Sequence, residues 1–217
     1  MVRPRTGDFL YSDEEITVMM EEIRIFKKAG VRGVVVGVLD KAGRVDVERM
    51  RGIVDEALPV EEVCFHRAFD MTRDPDEALR DIENIGGVSR ILTSGHGKSV
   101  PEALPTIASL IRTTKEGGIT ILPGSGIDMK TVGTVLDTLL PLGLREIHLS
   151  GGKWKEGAME FRREGMGMGT GGKGEWGVWM TDEEIMHEVR VIVDGRWALA
   201  NKLGLGEGVD LERPVDG

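Results

Sequence analysis

The sequence is poor in several residue types, and each shortage narrows the possibilities. It has one cysteine, Cys64, so neither an internal disulfide framework nor an all-cysteine zinc site can form within one chain. A single thiol fits a reducing compartment. Aromatics make up only 5%, which leaves the core to Val, Ile, Leu and Met. No apolar run approaches the roughly 20 residues of a membrane helix, and residues 1–20 lack the apolar stretch of a signal peptide. Positive charge is in deficit. Lys+Arg total 28 against 37 Asp+Glu, a formal net charge of -9. A nucleic-acid coat needs a basic face, so neither a nucleic acid nor a membrane is expected as a partner. No glycine fingerprint of a dinucleotide site is present, and no organic cofactor is indicated.

What remains is a regular alternation. Short β-branched runs occur at Gly33–Leu39, Glu61–His66, Val88–Thr93, Ile119–Pro123 and Leu144–Ser150. Helix signals lie between them. Ser12-x-x-Glu15 reads as a capping box ahead of Ile16, Met19, Met20, Ile23 and Phe26. Asp74-Pro75 supplies a cap and a first-turn proline. Ser99-x-x-Glu102 and Asp128 open two more helices, and Gly143 stops the second. A last helix is predicted over 181–203, capped by Thr181 and Glu184, after a Gly-rich loop over 165–177. Strands alternating with helices imply parallel β/α units. The fold class is therefore α/β, a TIM-like (β/α) barrel in one domain over 1–217, with a doubly wound sheet as the alternative. Five strands, plus a remnant at Met1–Arg5, fall short of the eight that close a barrel. Raw sheet edges invite pairing, so a homo-oligomer is one expected consequence.

In such barrels the working residues project from the C-terminal ends of strands. Those ends carry Arg3 and Arg5; His66, Arg67 and Asp70; Thr93, Ser94, Gly95 and His96; Gly124, Ser125 and Gly126; and His148 and Ser150. The rim is basic although the protein is acidic. Arginine forks and glycine-rich backbone suit a small anionic ligand, phosphorylated or carboxylated. Catalytic roles fall to His66, Arg67, Asp70 and His148, with His66 as acid or base and its charge set by its neighbours. The remaining rim positions would bind ligand. His96 and His187 read as surface residues. Alternation along the strand also places Cys64 and His66 on one face, a thiol and an imidazole suited to Cu(I). The competing reading makes Cys64 a buried small apolar residue. Met166 and Met168 alternate in the Gly-rich loop, as thioether donors or as filler, with Trp154, Trp176 and Trp179 flanking it.

Several ordered segments carry a family resemblance. They are Val2–Glu15 (VRPRTGDFLYSDEE), Phe65–Asp70 (FHRAFD) followed by Asp74-Pro75, Leu92–Gly95, Gly124–Gly126, Glu146–His148, Met159–Arg162 and Val193–Gly195. Together they resemble the CutC copper homeostasis protein family. The resemblance implies a TIM-like barrel, a cytoplasmic setting, and copper homeostasis with copper binding. The family places two strand–helix units and most of a third strand ahead of the Arg3-Pro4-Arg5 motif. The expected barrel is thus incomplete by those elements. Family cysteines proposed to hold copper lie in that preceding region, which leaves Cys64 as the only thiol here.

Overall fold

A computed structural model describes residues 1–114, 118–163 and 165–205. Four parallel strands form the main sheet in the order β1-β2-β3-β4: β1 Gly33–Val36, β2 Glu62–Phe65, β3 Arg90–Thr93 and β4 Thr120–Pro123. Sequential neighbours pair in register, with Gly33 opposite Glu62, Cys64 opposite Arg90, and Arg90 opposite Thr120. Helices α1 Asp13–Lys28, α2 Val47–Ala57, α3 Pro75–Ile85, α4 Leu104–Thr114 and α5 Val132–Leu139 alternate with the strands. Parallel strands need such crossovers to return the chain to the same sheet edge.

One face of every strand meets these helices. Val34, Val36, Val63, Phe65, Ile91 and Ile121 are buried there with Met19, Ile23, Met50, Ile53, Leu79, Ile82, Ile107, Leu110 and Leu136. The opposite face carries Val35, Cys64, Arg90 and Leu92, the alternate positions of the same strands.

Local signals act largely as read. The Ser12–Glu15 capping box forms reciprocally, and Asp74 accepts the Glu77 N–H at 2.7 Å with Pro75 in the first turn. Other readings need correction. Ser99–Glu102 does not open an α-helix: Ser99 Oγ donates to Glu102 Oε1 instead of capping, a short 3-10 turn follows, and α4 starts at Leu104. The run Leu144–Ser150 is not a strand. It meets the sheet through an isolated bridge from His148 to Gly124. The Met1–Arg5 remnant makes a single ladder bond, Val2 N–H to Val35 O at 2.8 Å.

Beyond the sheet, β5 Gly152–Lys155 and β6 Val178–Thr181 form an antiparallel hairpin that encloses the Gly-rich segment. Trp154 packs edge-on to Trp179 across it. Thr181 belongs to β6, so the last helix, α6 Glu183–Lys202, is capped by Asp182 and not by Thr181. Met166 and Met168 are exposed. Among the described residues no helix is long and apolar enough to cross a membrane.

Candidate functional site

Two clusters of side chains gather at the C-terminal end of the sheet. The first centres on Asp70. The chain leaves β2 through His66 into a 3-10 turn over Arg67–Met71, which swings Asp70 toward the end of β3. There Asp70 Oδ1 accepts from Thr93 Oγ1 at 2.5 Å and from the Ser94 N–H at 3.0 Å, with the His96 N–H at 3.3 Å. Its Oδ2 accepts from Arg67 Nε at 2.7 Å. Burial alone would raise this carboxyl, but the bonds from Thr93, Arg67 and Ser94 outweigh it and hold the group below its ordinary range. Asp70 therefore stays charged and organises the strand end, and its hydrogen-bond partners are Thr93, Ser94, His96 and Arg67, not His66.

Arg67 is the exposed product of that arrangement. Its Nη2 donates to Ser94 Oγ at 2.9 Å, and its side chain keeps 44% exposure. Its guanidinium is thus aimed at the rim by two fixed acceptors while one edge remains open to solvent. Ser94 Oγ donates in turn to Gly97 O at 2.7 Å, so Thr93 and Ser94, both fully buried, act as scaffold. Gly95 donates to Thr93 Oγ1 and adopts φ +78, and a Cβ there would stand 2.7 Å from Ile107. His96 is half-buried and not a surface residue. It pairs with Thr72 Oγ1 at 3.1 Å and stacks edge-on to Phe69. His187 is exposed on α6.

The adjoining loop 124–126 is close-packed. Gly124 N–H bonds Thr93 O, Ser125 Oγ bonds Lys98 O, and Ser125 takes φ 103. A Cβ on Gly126 would lie 2.6 Å from Ser99. His148 is exposed beside Gly124, held by its N–H to Pro123 O at 2.9 Å. Ser150 is exposed, and its carbonyl accepts from Thr181 Oγ1 in the hairpin.

The second cluster surrounds His66. Its ring is 2% exposed and packs on Phe9 at 5.0 Å and Phe65 at 6.2 Å. Nδ1 accepts the Ala68 N–H at 3.2 Å, so the proton of the neutral ring sits on Nε2, which is buried without a partner. Gly37 makes the space: a Cβ there would stand 2.6 Å from His66 Nδ1. Burial, aided by Arg3 and the chain N-terminus, pushes the imidazole down to about 4. The ring is therefore neutral near pH 7, a hydrogen-bond donor and not a charge.

Above it lies the segment over 2–11. Arg3 places its Cζ 4.6 Å over the Phe9 ring and donates to Gly7 O at 2.9 Å. Tyr11 is 2% exposed, and its hydroxyl also lacks a partner. Arg5 differs from expectation. Glu15 holds it at 2.6 Å, Asp8 at 2.9 Å and the Leu10 carbonyl at 2.7 Å, so its guanidinium braces the segment instead of facing the rim. Phe9 and Tyr11 were not read as site residues. Their signal was two aromatics close together in a chain that has a single tyrosine and five phenylalanines.

The donors expected to hold copper do not fit it. Cys64 is buried, its thiol is pushed up to about 11 by that burial, and Sγ donates to Phe65 O at 3.6 Å. A thiolate is the form that binds metal, and this site opposes it. The charges around Cys64 are Arg90, Glu146 and Glu62, at the opposite ends of the strands, whereas Arg3 is the side chain that bears on His66. Among the described residues no group of three or more His, Cys, Asp or Glu side chains gathers as a metal set.

Comparison with known proteins places this geometry in a family. The CutC family model matches residues 1–153. A family protein CutC of Citrobacter koseri is 39% identical over 170 residues, covering 78% of this chain and 65% of that protein. A copper homeostasis protein cutC homolog of Mus musculus is 41% identical over 170 residues, covering 78% of this chain and 60% of that one. The chain thus spans somewhat less than two thirds of these relatives' length. A crystal structure of a CutC from Streptococcus agalactiae superposes with a TM-score of 0.62 at 24% identity, over 68% of this chain and 70% of that one, which establishes a shared fold. The chain belongs to the CutC family.

Proposed function

We propose that this chain serves copper homeostasis, the role in the mouse relative's name, and that its own chemistry is binding of a small anion at the C-terminal rim of the sheet. The parallel sheet is taken as part of a (β/α) barrel, whose ligands enter at this end. The observation that carries the reading is Arg67. Its guanidinium is fixed by Asp70 and Ser94 at the strand ends, and its exposed edge offers N–H donors to an incoming phosphate or carboxylate. A preset fork loses less freedom on binding than a free arginine does. Backbone of the adjacent loop 124–126, where Ser125 and Gly126 take positive φ, is the further group this reading assigns to the ligand.

Direct Cu(I) binding at Cys64 is the second reading. The alternation that puts Cys64 and His66 on one strand face favours it, and the buried, protonated thiol works against it. Calorimetric titration with inorganic phosphate and, separately, with Cu(I) under reducing conditions tests both. Phosphate binding that falls at least about tenfold in Arg67→Ala supports the rim reading. Cu(I) binding that disappears in Cys64→Ala, together with phosphate binding indifferent to Arg67→Ala, overturns it.

A further inference from the structure

His96 has one ring nitrogen committed and one free. Its Nε2 lies 3.1 Å from Thr72 Oγ1, and that hydroxyl donates its only proton to Phe69 O at 2.8 Å. Thr72 must therefore accept from His96, which fixes the neutral ring as the Nε2–H tautomer and leaves the lone pair on Nδ1. Nδ1 takes no hydrogen bond from the described residues and is open to solvent. His66 differs, because its lone pair is spent on the Ala68 N–H. The His96 ring is also held in place. It meets Phe69 edge-on at 5.4 Å, and its backbone takes φ 61, a left-handed conformation uncommon outside glycine.

The backbone carries this imidazole to the anion site. The His96 N–H reaches Asp70 Oδ1 at 3.3 Å, while Arg67 Nε holds Asp70 Oδ2 at 2.7 Å, so one carboxylate joins the imidazole and the guanidinium fork. Ser94, two residues before His96, ties Arg67 Nη2 to the same loop at 2.9 Å. The other acceptors here are engaged. Thr93 Oγ1 accepts from the Gly95 N–H and donates to Asp70, and Ser94 Oγ accepts from Arg67 and donates to Gly97 O. Both Asp70 oxygens already accept two or more bonds. His96 Nδ1 is the side-chain acceptor that this cluster leaves free. We infer that His96 Nδ1 is the proton-accepting group of the rim, and that the ligand is a small anion that also carries a hydroxyl, such as a 2-hydroxycarboxylate. The anionic group goes to the open edge of Arg67, and the hydroxyl donates to Nδ1. This inference rests on the rim reading and deepens it by naming the ligand class; the hydroxyl is what it adds.

The test is ¹⁵N NMR of the histidine rings, with calorimetric titration of glycolate and, in parallel, of acetate, which lacks the hydroxyl. The free protein should show neutral His96 as the Nε2–H tautomer, and glycolate should shift its Nδ1 signal saturably. Glycolate should bind roughly three- to tenfold tighter than acetate, the worth of one hydrogen bond. His96→Asn tolerates the left-handed backbone and should bring the two acids to equal affinity. Thr72→Val keeps the ring but removes the acceptor that sets its tautomer, and it should shrink the preference as well. An Nδ1–H tautomer, equal affinities in wild type, or a preference that survives in His96→Asn overturns the inference. In each of those cases, acid binding that falls at least about tenfold in Arg67→Ala leaves the rim reading intact. Binding of neither acid also overturns the inference, and a lack of phosphate binding besides overturns the rim reading with it.

Discussion

Acidification from pH 7 to pH 4 should destabilise this protein with His66 as a main contributor. In the folded chain burial lowers its imidazole from the ordinary 6.5 to about 4. In the unfolded chain it titrates near its ordinary value. Between those two values the unfolded state holds a proton that the folded state refuses. The stabilising contribution is therefore complete above about pH 6.5, is lost as pH falls toward 4, and changes no further below that. At about 1.4 kcal/mol per pH unit, the gap amounts to on the order of 3 kcal/mol. That is a large share of the roughly 5–15 kcal/mol that holds a typical domain together. Asp70 acts in a separate, lower window: its carboxyl is held below its ordinary value, so its contribution fades only as pH falls through the carboxylate range. Urea unfolding followed by tryptophan fluorescence at pH 7, 6, 5 and 4 measures the effect. His66→Gln, which does not titrate, should flatten the profile by about the same 3 kcal/mol relative to its own value at pH 7. Parallel profiles for the two proteins would show that His66 is solvated in the folded state, and the neutral-donor reading of the site would fall with it.

Other perturbations have equally definite outcomes. Gly37→Ala puts a Cβ 2.6 Å from His66 Nδ1 and 3.1 Å from the Ala68 Cβ; His66 must rotate and lose its bond from Ala68, at a cost of roughly 2–4 kcal/mol in a urea melt, and a change under about 0.5 kcal/mol would mean the ring is not held there. Asp70→Asn leaves Arg67 without its anion and disturbs the bonds from Thr93, Ser94 and His96; it should cost about 2–4 kcal/mol and abolish phosphate binding, and wild-type stability would refute its organising role. Arg90 joins Glu62 at 2.6 Å and Glu146 at 2.7 Å on the face that carries Cys64; Arg90→Met should lower stability by about 1–2 kcal/mol at low salt and by less at high salt, and a salt-independent loss would assign the effect to packing.

The parts legible in the sequence are those set by short-range chemistry. The Ser12–Glu15 box and Asp74-Pro75 act within four residues of themselves, and they formed as read. Four of five β-branched runs became strands, since burial on one face enforces them. Leu144–Ser150 has the same composition, but pairing is a long-range matter, and only His148 reached the sheet. The β5–β6 hairpin leaves no such mark in the sequence because it has no buried face: β6 is exposed throughout and β5 nearly so. The strand-end rule located the rim yet could not apportion it. Arg5 and Arg67 look alike in the sequence, but Glu15 and Asp8 close around the first, while Asp70 and Ser94 present the second. Asp70 itself gathers donors from Thr93, Ser94 and His96, more than twenty positions away, so its role was visible only in three dimensions.

The most direct test of the anion-binding rim is a set of thermal melts of the purified chain with saturating phosphate and with Cu(I) under reducing conditions, for wild type, Arg67→Ala and Cys64→Ala. Ligand at 100 times its dissociation constant adds about 2.7 kcal/mol, so a genuine binder raises Tm by several degrees. The rim account predicts a phosphate shift that vanishes in Arg67→Ala and persists in Cys64→Ala. A Cu(I) shift abolished by Cys64→Ala, with no phosphate shift in any variant, would contradict it.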